Sequence, residues 1–384
     1  MFCVTEKTKP IKFMRDTPNF FVNYYTEWIK YMWSKKEILP HIRGKVKWLN
    51  IKTVLDWFAG TTRVWQFFNN NGYCVCSNDL NIWSEVFWKT FLLNTFENRP
   101  RYQEKIDYLN SLKWKDWFYT MNYWWIDNNW SSVQSDWKKR LWQVHNTKKL
   151  DAIRDEIDNI SESEIEKATL LTSLIFALDK VDSSLWHFSS YLKWRSARSY
   201  KTMKLEVPHF FDKVEGNSVV TWDVFNLINH NFDLAYFDPP YWSNNDKMPS
   251  SRVRYGQYYH IRETIIRHDK PKTIWAINKR SDATVERTYS IFEDYNKKWN
   301  FYVPELAVFS LIEETKAAYI LFSYNTNWRA EVRNIINFLN KKWYQYELTN
   351  IWYKKNVMAW MKWTYDRDNL WERENHEILL LIYK

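Results

Sequence analysis

Glycine is scarce. The chain of 384 residues has 5, where the usual share of about 7% would give roughly 27. Glycine normally fills left-handed turns, helix ends and close backbone approaches, so these places must be filled by something else. Cysteine is also rare: Cys3, Cys74 and Cys76, with no C-x-x-C pair. That spacing excludes a zinc ribbon and a disulfide framework. His145, His187, His230 and His260 show no metal-ligand spacing. No G-K-S or G-K-T follows a glycine-rich loop, which excludes a phosphate-gripping P-loop. No apolar run is long enough to span a bilayer, and the opening MFCVTEKTKP lacks the features of a signal peptide. We expect a cytoplasmic protein. There is no Pro/Gly/Ser-rich linker, and the length suits one large domain or two smaller ones.

Tryptophan is in excess instead, with 26 residues. Three segments share one frame: FFNNNGYCVC (67–76), EDYNKKWNFYV (293–303) and NFLNKKWYQYE (337–347). Each reads as a helix end, a polar turn and a strand. Gly72 occupies the left-handed position after the first helix, and Trp299 and Trp343 stand in the same slot. A side chain there costs roughly 1–2 kcal/mol. We expect many tryptophans to stand at glycine positions, as when a UGA codon that its source reads as glycine is translated as tryptophan. A chain truly rich in tryptophan is the alternative. The net charge of +10 and the pI near 9.1 suit a polyanionic partner.

The periodicity predicts an amphipathic helix over 20–43 that breaks near Trp33-Ser34 and resumes at Lys35. A strand running into a loop follows at 51–60 and a second strand at 73–79, with helices at 62–71 and 81–96. Residues 101–150 are polar and aromatic with little periodicity. A surface helix begins at 151. A second helix, capped by Ser161 and Glu164, carries a core stripe of Leu170, Leu171, Leu174, Ile175 and Leu178. Strands are expected at 218–222, 232–238, 272–279, 317–325 and 377–384, and helices at 284–298 and 328–342. This order opens a doubly wound α/β sheet.

Ligands of such sheets lie beyond the carboxyl ends of the strands. Two strand ends carry unusual loops. In LDWFAGTTRV (55–64), Asp56 ends a strand and Ala59, Gly60, Thr61 and Thr62 turn tightly into a helix. Asp79 ends the next strand, at the spacing where an acid binds the ribose of an adenosine-type cofactor. In DLAYFDPPYW (233–242), a buried strand runs into Asp238, Pro239, Pro240 and Tyr241. The prolines lack N–H groups and stiffen the turn. Asp238 and a turn carbonyl can then accept two hydrogens from an exocyclic amino group, while Tyr241 stacks on a planar heterocycle.

These motifs resemble the Dam-like class of adenine-specific DNA methyltransferases. DPPY is similar to their catalytic motif, LDWFAGTT (55–62) to their cofactor loop, and SNDLN (77–81) to their ribose-binding segment. YMWSKKEILPHI (31–42) resembles their N-terminal cofactor motif, and TWDVFNL (221–227) the segment that places an acid near the cofactor adenine. The resemblance runs over most of the chain. It implies a Rossmann-like class I methyltransferase sheet from 1–100 and 211–384, with a helical or irregular DNA-recognition insertion at 101–210. It implies S-adenosylmethionine as cofactor, bound by Tyr31, Lys35, Asp56, Phe58, Ala59, Gly60, Thr61, Asp79 and Asp223. Catalysis falls to Asp238, Pro239, Pro240 and Tyr241, with no metal.

The expected partner is double-stranded DNA, with a cognate restriction endonuclease as a further possibility. The target adenine is flipped out before its N6 is methylated. Basic runs at 113–117, 137–140, 193–204 and 250–262 are the phosphate-binding candidates, the last ranked first because it follows DPPY. Trp33, Trp57, Trp65 and Trp222 stand where the family pattern has glycine or another small residue. Two other readings share the motifs: an adenine methyltransferase acting on RNA, and an inactive DNA-binding protein on the same fold.

Overall fold

The computed structural model describes residues 22–384 apart from 28, 32–33, 125–130, 185–186, 190, 195, 213, 241–254, 285–289, 295, 326–330 and 355–373. Seven strands form the central sheet: β1 (Thr53–Asp56), β2 (Cys74–Asn78), β3 (Ser218–Val220), β4 (Phe232–Phe237), β5 (Ala317–Asn325), β6 (Gln345–Lys354) and β7 (Glu374–Tyr383). Their order is β6-β7-β5-β4-β1-β2-β3. The pairs β3–β2, β2–β1, β1–β4 and β4–β5 are parallel, and β7 runs antiparallel to both β5 and β6. The 3-2-1-4-5 part is the Rossmann order, and it reverses direction between β1 and β4. Val54 and Leu55 of β1 and Leu234 to Phe237 of β4 are buried, as a strand covered on both faces requires.

The helices Arg63–Asn70 and Ile82–Leu92 follow β1 and β2 as expected, and Val332–Lys341 follows β5. Gly72 has φ 82° and Trp343 φ 60°. Each ends its helix through the same pair of bonds. Gly72 N donates to Asn69 O at 3.0 Å and Tyr73 N to Phe68 O at 3.1 Å; Trp343 N donates to Asn340 O at 3.2 Å and Tyr344 N to Leu339 O at 3.1 Å. This is the Schellman arrangement, whose left-handed residue is usually glycine. Trp137, Trp275 and Trp299 also have positive φ, at 62°, 62° and 55°. Of the buried tryptophans, Trp57, Trp65 and Trp88 have indole N–H groups with no acceptor among the described residues. Trp33 lies outside the described residues.

Several expectations need correction. Residues 22–27 and 29–31 are not helical, and the first helical turn is Lys36–Ile38, leading into Leu39–Val46. The expected strand at 272–279 is a small hairpin, Thr273–Ile274 against Lys279–Arg280, turning through Trp275 and Asn278. The expected helix at 284–298 is likewise not one helix: its described parts are short turns at Ser281–Thr284 and Ile291–Glu293, then a strand. Lys297–Lys298 pairs with Phe301–Tyr302, so Trp299 sits in a two-residue hairpin turn rather than after a helix. Of the two turn residues only Trp299 has positive φ, the pattern of a II′ turn with glycine first.

Helices not foreseen run from Arg99–Ser111, Phe118–Tyr123 and Val303–Glu314. The helix Val144–Ile160 begins before 151 and buries Leu150, Ile153, Arg154 and Ile157, so it is not a surface helix. The next, Glu164–Asp179, is capped two residues later than expected: Ser163 Oγ accepts from Glu166 N at 3.2 Å. Its leucine stripe is buried as expected. Cys76 is a buried free thiol, and Cys74 is disulfide-bonded, a bridge that the cysteine spacing gave no sign of. No helix among the described residues is long and apolar enough to cross a membrane.

The helices between residues 99 and 179 do not form a separate core. Ile106, Leu150, Leu170 and Leu174 belong to one buried cluster with Val54, Val75 and Leu234 of the sheet. Buried charges add to the join: Lys30 pairs with Asp182, and Arg262 with Asp179 at 3.1 Å.

Candidate active site

The carboxyl ends of β1, β2 and β4 open into one cavity of about 350 Å³. The register explains the convergence. Asp56 lies opposite Ser77 on one side and Tyr236 on the other, so Asp56, Asp79 and Asp238 leave neighbouring strands at nearly one level. Of the residues expected from sequence, Tyr31, Lys35, Asp56, Phe58, Ala59, Gly60, Thr61, Asp79, Asp223, Asp238 and Pro240 all line the cavity. Pro239 sits between two of them in the turn. Tyr241 lies outside the described residues. Trp57 lines the cavity and packs edge-on against Phe237, with ring centroids 5.1 Å apart. Trp65 is buried and Trp222 is partly exposed; neither lines the cavity.

The loop after β1 is tightly held. Ala59 N donates to Asn78 O at 3.0 Å, and Gly60 N donates to Asp79 Oδ2 at 2.8 Å. Gly60 has φ 47°, and a Cβ there would sit 3.3 Å from the Tyr31 hydroxyl, so any side chain there is strained and crowds Tyr31. Thr62 enters the helix left-handed, at φ 70°. Asp79 Oδ1 accepts from Asn81 N at 2.9 Å and from Asn81 Nδ2 at 2.7 Å. Asp223 caps a helical turn through Phe225 N at 3.0 Å.

Asn78, not expected from sequence, ties three loops. Its Nδ2 donates to Trp57 O at 3.2 Å, and its Oδ1 accepts from Trp222 N at 3.0 Å. Tyr259 was also missed. Its ring stacks on Tyr31 at 5.0 Å and faces the Arg262 guanidinium at 4.7 Å.

The electrostatics of the cavity are acidic. Seven carboxylates line it (Asp56, Asp79, Asp223, Asp238, Glu263, Asp282, Glu293) against Lys35, Arg63 and Arg267. Asp56 is buried, and neither of its carboxyl oxygens makes a full hydrogen bond among the described residues. Burial first, then the charges of Asp238 and Asp79, hold its pKa well above the usual carboxylate range, with the Phe58 and Trp65 backbone amides acting the other way. Burial likewise raises Asp79, against the amide donors of Asn81 and Gly60. Burial, with Asp238 and Glu377 adding, keeps the Tyr236 phenol protonated.

Lys35 lies between two acids. Its Nζ is 2.9 Å from Asp238 Oδ1 and also pairs with Glu377. Burial alone would lower its pKa; the Asp238 and Glu377 carboxylates outweigh that and raise it. Glu377 was not foreseen. It stands 342 residues from Lys35 in sequence and only the fold joins them.

The basic runs are partly accounted for. Arg262 is buried on Asp179 and the Lys30 carbonyl, so it does not face a solvent-borne ligand. Arg140 is buried on Asp136 at 2.7 Å, and Lys115 pairs with Asp155. Lys193, Lys201 and Lys204 are exposed. Residues 250–254 lie outside the described residues.

The fold and the site together define a class. Residues 31–283, well over half of the chain, match the model of the D12 class N6 adenine-specific DNA methyltransferase family, and the chain belongs to that family. Its curated relatives include the modification methylase StsI of Streptococcus sanguinis, 28% identical over 82% of this chain and 46% of that protein. The modification methylase LlaI of Lactococcus lactis subsp. lactis is 25% identical over 71% of this chain and 45% of its own length. The type II methyltransferase M.NlaIII of Neisseria lactamica is 25% identical over 80% and 84%. The chain therefore spans slightly less than half the length of the first two.

Proposed function

We propose that this chain is a site-specific enzyme that transfers a methyl group from S-adenosylmethionine to the N6 of adenine in double-stranded DNA. The observation that carries it is the shared cavity: the Asp238-Pro239-Pro240 corner and the 56–61 loop face the same space. When bound, S-adenosylmethionine supplies an electrophilic methyl group on a sulfonium. The donor set fits it. Asp79 and Asp223 can accept from hydroxyl and amino groups, and the buried Asp56 carboxyl, near the Phe58 and Trp65 amides, adds a polar group to the cavity wall. The surplus of carboxylates favours a cationic ligand and disfavours a polyphosphate.

Adenine must leave the helix to reach Asp238, at a cost of a few kcal/mol. Asp238 and the Pro239 carbonyl then accept its two amino hydrogens. These bonds localise the lone pair on the nitrogen and oppose the positive charge that grows there. Holding the amine in one orientation supplies much of the rate. Tyr241, in this reading, stacks on the base. Residues 101–210 serve as the sequence-reading insertion. The exposed Lys193, Lys201 and Lys204 are phosphate contacts. The enzyme works in the cytoplasm, and the names of its relatives support a restriction–modification setting with a cognate endonuclease.

The test is expression in a host without adenine methylation. The chain is made as it stands and with glycine at Trp33, Trp57, Trp65 and Trp222. N6-methyladenine is expected in the DNA. Asp238→Ala is expected to lower the rate at least about 100-fold; methylation that survives it refutes the assignment. Labelled cofactor with DNA and with RNA separates the two substrates.

A further inference from the structure

We infer that Glu377 is a positioning residue for Asp238 and acts through Lys35. The inference rests on the adenine-methylation reading of the cavity and deepens it.

Asp238 leaves the end of β4 and is followed at once by two prolines. The prolines fix the backbone but not the carboxylate. Lys35 reaches that carboxylate, yet a lysine is a long flexible chain that holds a partner poorly unless it is itself held. Glu377 does this. It is 2% exposed, pairs with Lys35, and accepts from Ser323 Oγ at 2.6 Å. The connection runs across three adjacent strands. Phe237 of β4 lies opposite Phe322 of β5, and Asn325 of β5 lies opposite Glu377 of β7. The reversed strand β7 is what brings Glu377 to the catalytic end of the sheet.

The charge count gives the arrangement a second effect. Two carboxylates share one ammonium, so the group keeps a negative charge overall. With Glu377 neutral, the ammonium would lean more heavily on Asp238 and compete with the adenine amine for its oxygens. Glu377 therefore both places Lys35 and moderates its grip.

The experiment is a double-mutant cycle in kcat, run in whichever of the two versions methylates DNA, with tritiated cofactor and unmethylated bacterial genomic DNA. Glu377→Gln keeps the shape and the bond from Ser323 but removes the charge. It is expected to lower kcat about 10- to 100-fold, the worth of one charged hydrogen bond, with KM for the cofactor within about threefold of the parent. In a Lys35→Met background it should lower kcat no further. Equal losses in both backgrounds would overturn the relay and leave Glu377 a purely structural residue. If Glu377→Gln fails to fold, Ser323→Ala takes its place, with a loss in the parent and none with Lys35→Met; losses in both overturn it. A crystal structure of either variant gives a reading free of activity: Lys35 is expected to turn away from its position against Asp238, and an unmoved pair refutes the inference. Asp238→Ala in the same assay separates the two failures. If it stays active, the functional reading falls. If it is dead while Glu377→Gln keeps full kcat, only the positioning role falls.

Discussion

Replacing Trp299 and Trp343 with glycine should stabilise the protein. Both residues are left-handed, at φ 55° and 60°. Each side chain in that region costs roughly 1–2 kcal/mol. Burial returns almost nothing, because Trp299 is 84% exposed and Trp343 91%. Glycine gives back about 0.4–1 kcal/mol through its freer unfolded chain. The net gain is about 0.5–1 kcal/mol per site, or about 1–2 kcal/mol for the pair. At about 2.1 cal/mol/K per residue, a chain of 384 residues has an unfolding entropy near 0.8 kcal/mol/K. The double variant should therefore melt about 1–3 °C higher. Adding Trp137→Gly, which shares the conformation and is 83% exposed, should raise the shift by roughly half. Differential scanning calorimetry at fixed pH reads it. A lower or unchanged Tm for the pair would refute the reasoning; UGA codons are expected at both positions in the gene, and UGG codons there would refute the misread-codon origin.

Three further outcomes follow from other parts of the structure. Gly60→Ala should weaken cofactor binding about tenfold or more by calorimetry, since the added Cβ meets the Tyr31 hydroxyl in a left-handed loop; an unchanged Kd would show that the loop yields freely. His260 is buried with its Nε2 3.2 Å from Phe188 O, and burial, aided by the charge of Lys279, pushes its pKa down to about 3. The unfolded chain, titrating at about 6.5, then binds the extra proton between these values, so this residue's contribution to stability falls as pH falls from about 6.5 toward about 3. His260→Gln should flatten that limb of the stability–pH curve relative to the parent, and parallel curves would dismiss the shift. Lys201→Ala and Lys204→Ala should each reduce the slope of log K against log salt for DNA binding by about one; an unchanged slope would remove them from the DNA face.

The parallel core of the fold was legible because β1, β2 and β4 are short apolar runs that each end near an aspartate. The same feature exposed most of the cavity: when an acid closes a buried strand, the sheet topology decides where it points. The two small hairpins were not legible, and the reason is chemical. A turn is signalled by glycine or a similar residue at its left-handed position. In both hairpins that position carries a tryptophan, Trp275 or Trp299, which reads as strand or core. The helix Arg99–Ser111 was missed because it buries only Tyr102, Ile106 and Leu109, a stripe too narrow to stand out among charged residues. Glu377 could not be found at all from local pattern. It is one acid at the head of an apolar strand, and its meaning comes from a lysine at the other end of the chain.

If residues 101–210 read the DNA as proposed, the interior they share with the sheet restricts how new target specificities can arise. Excising 101–210 and grafting the equivalent stretch of a relative would replace Ile106, Leu150, Leu170 and Leu174 in the cluster that also holds Val54, Val75 and Leu234, and the hybrid would have to repack it. On that reading, changes of recognition sequence fall on exposed loops, one side chain at a time, rather than on exchange of a ready-made cassette.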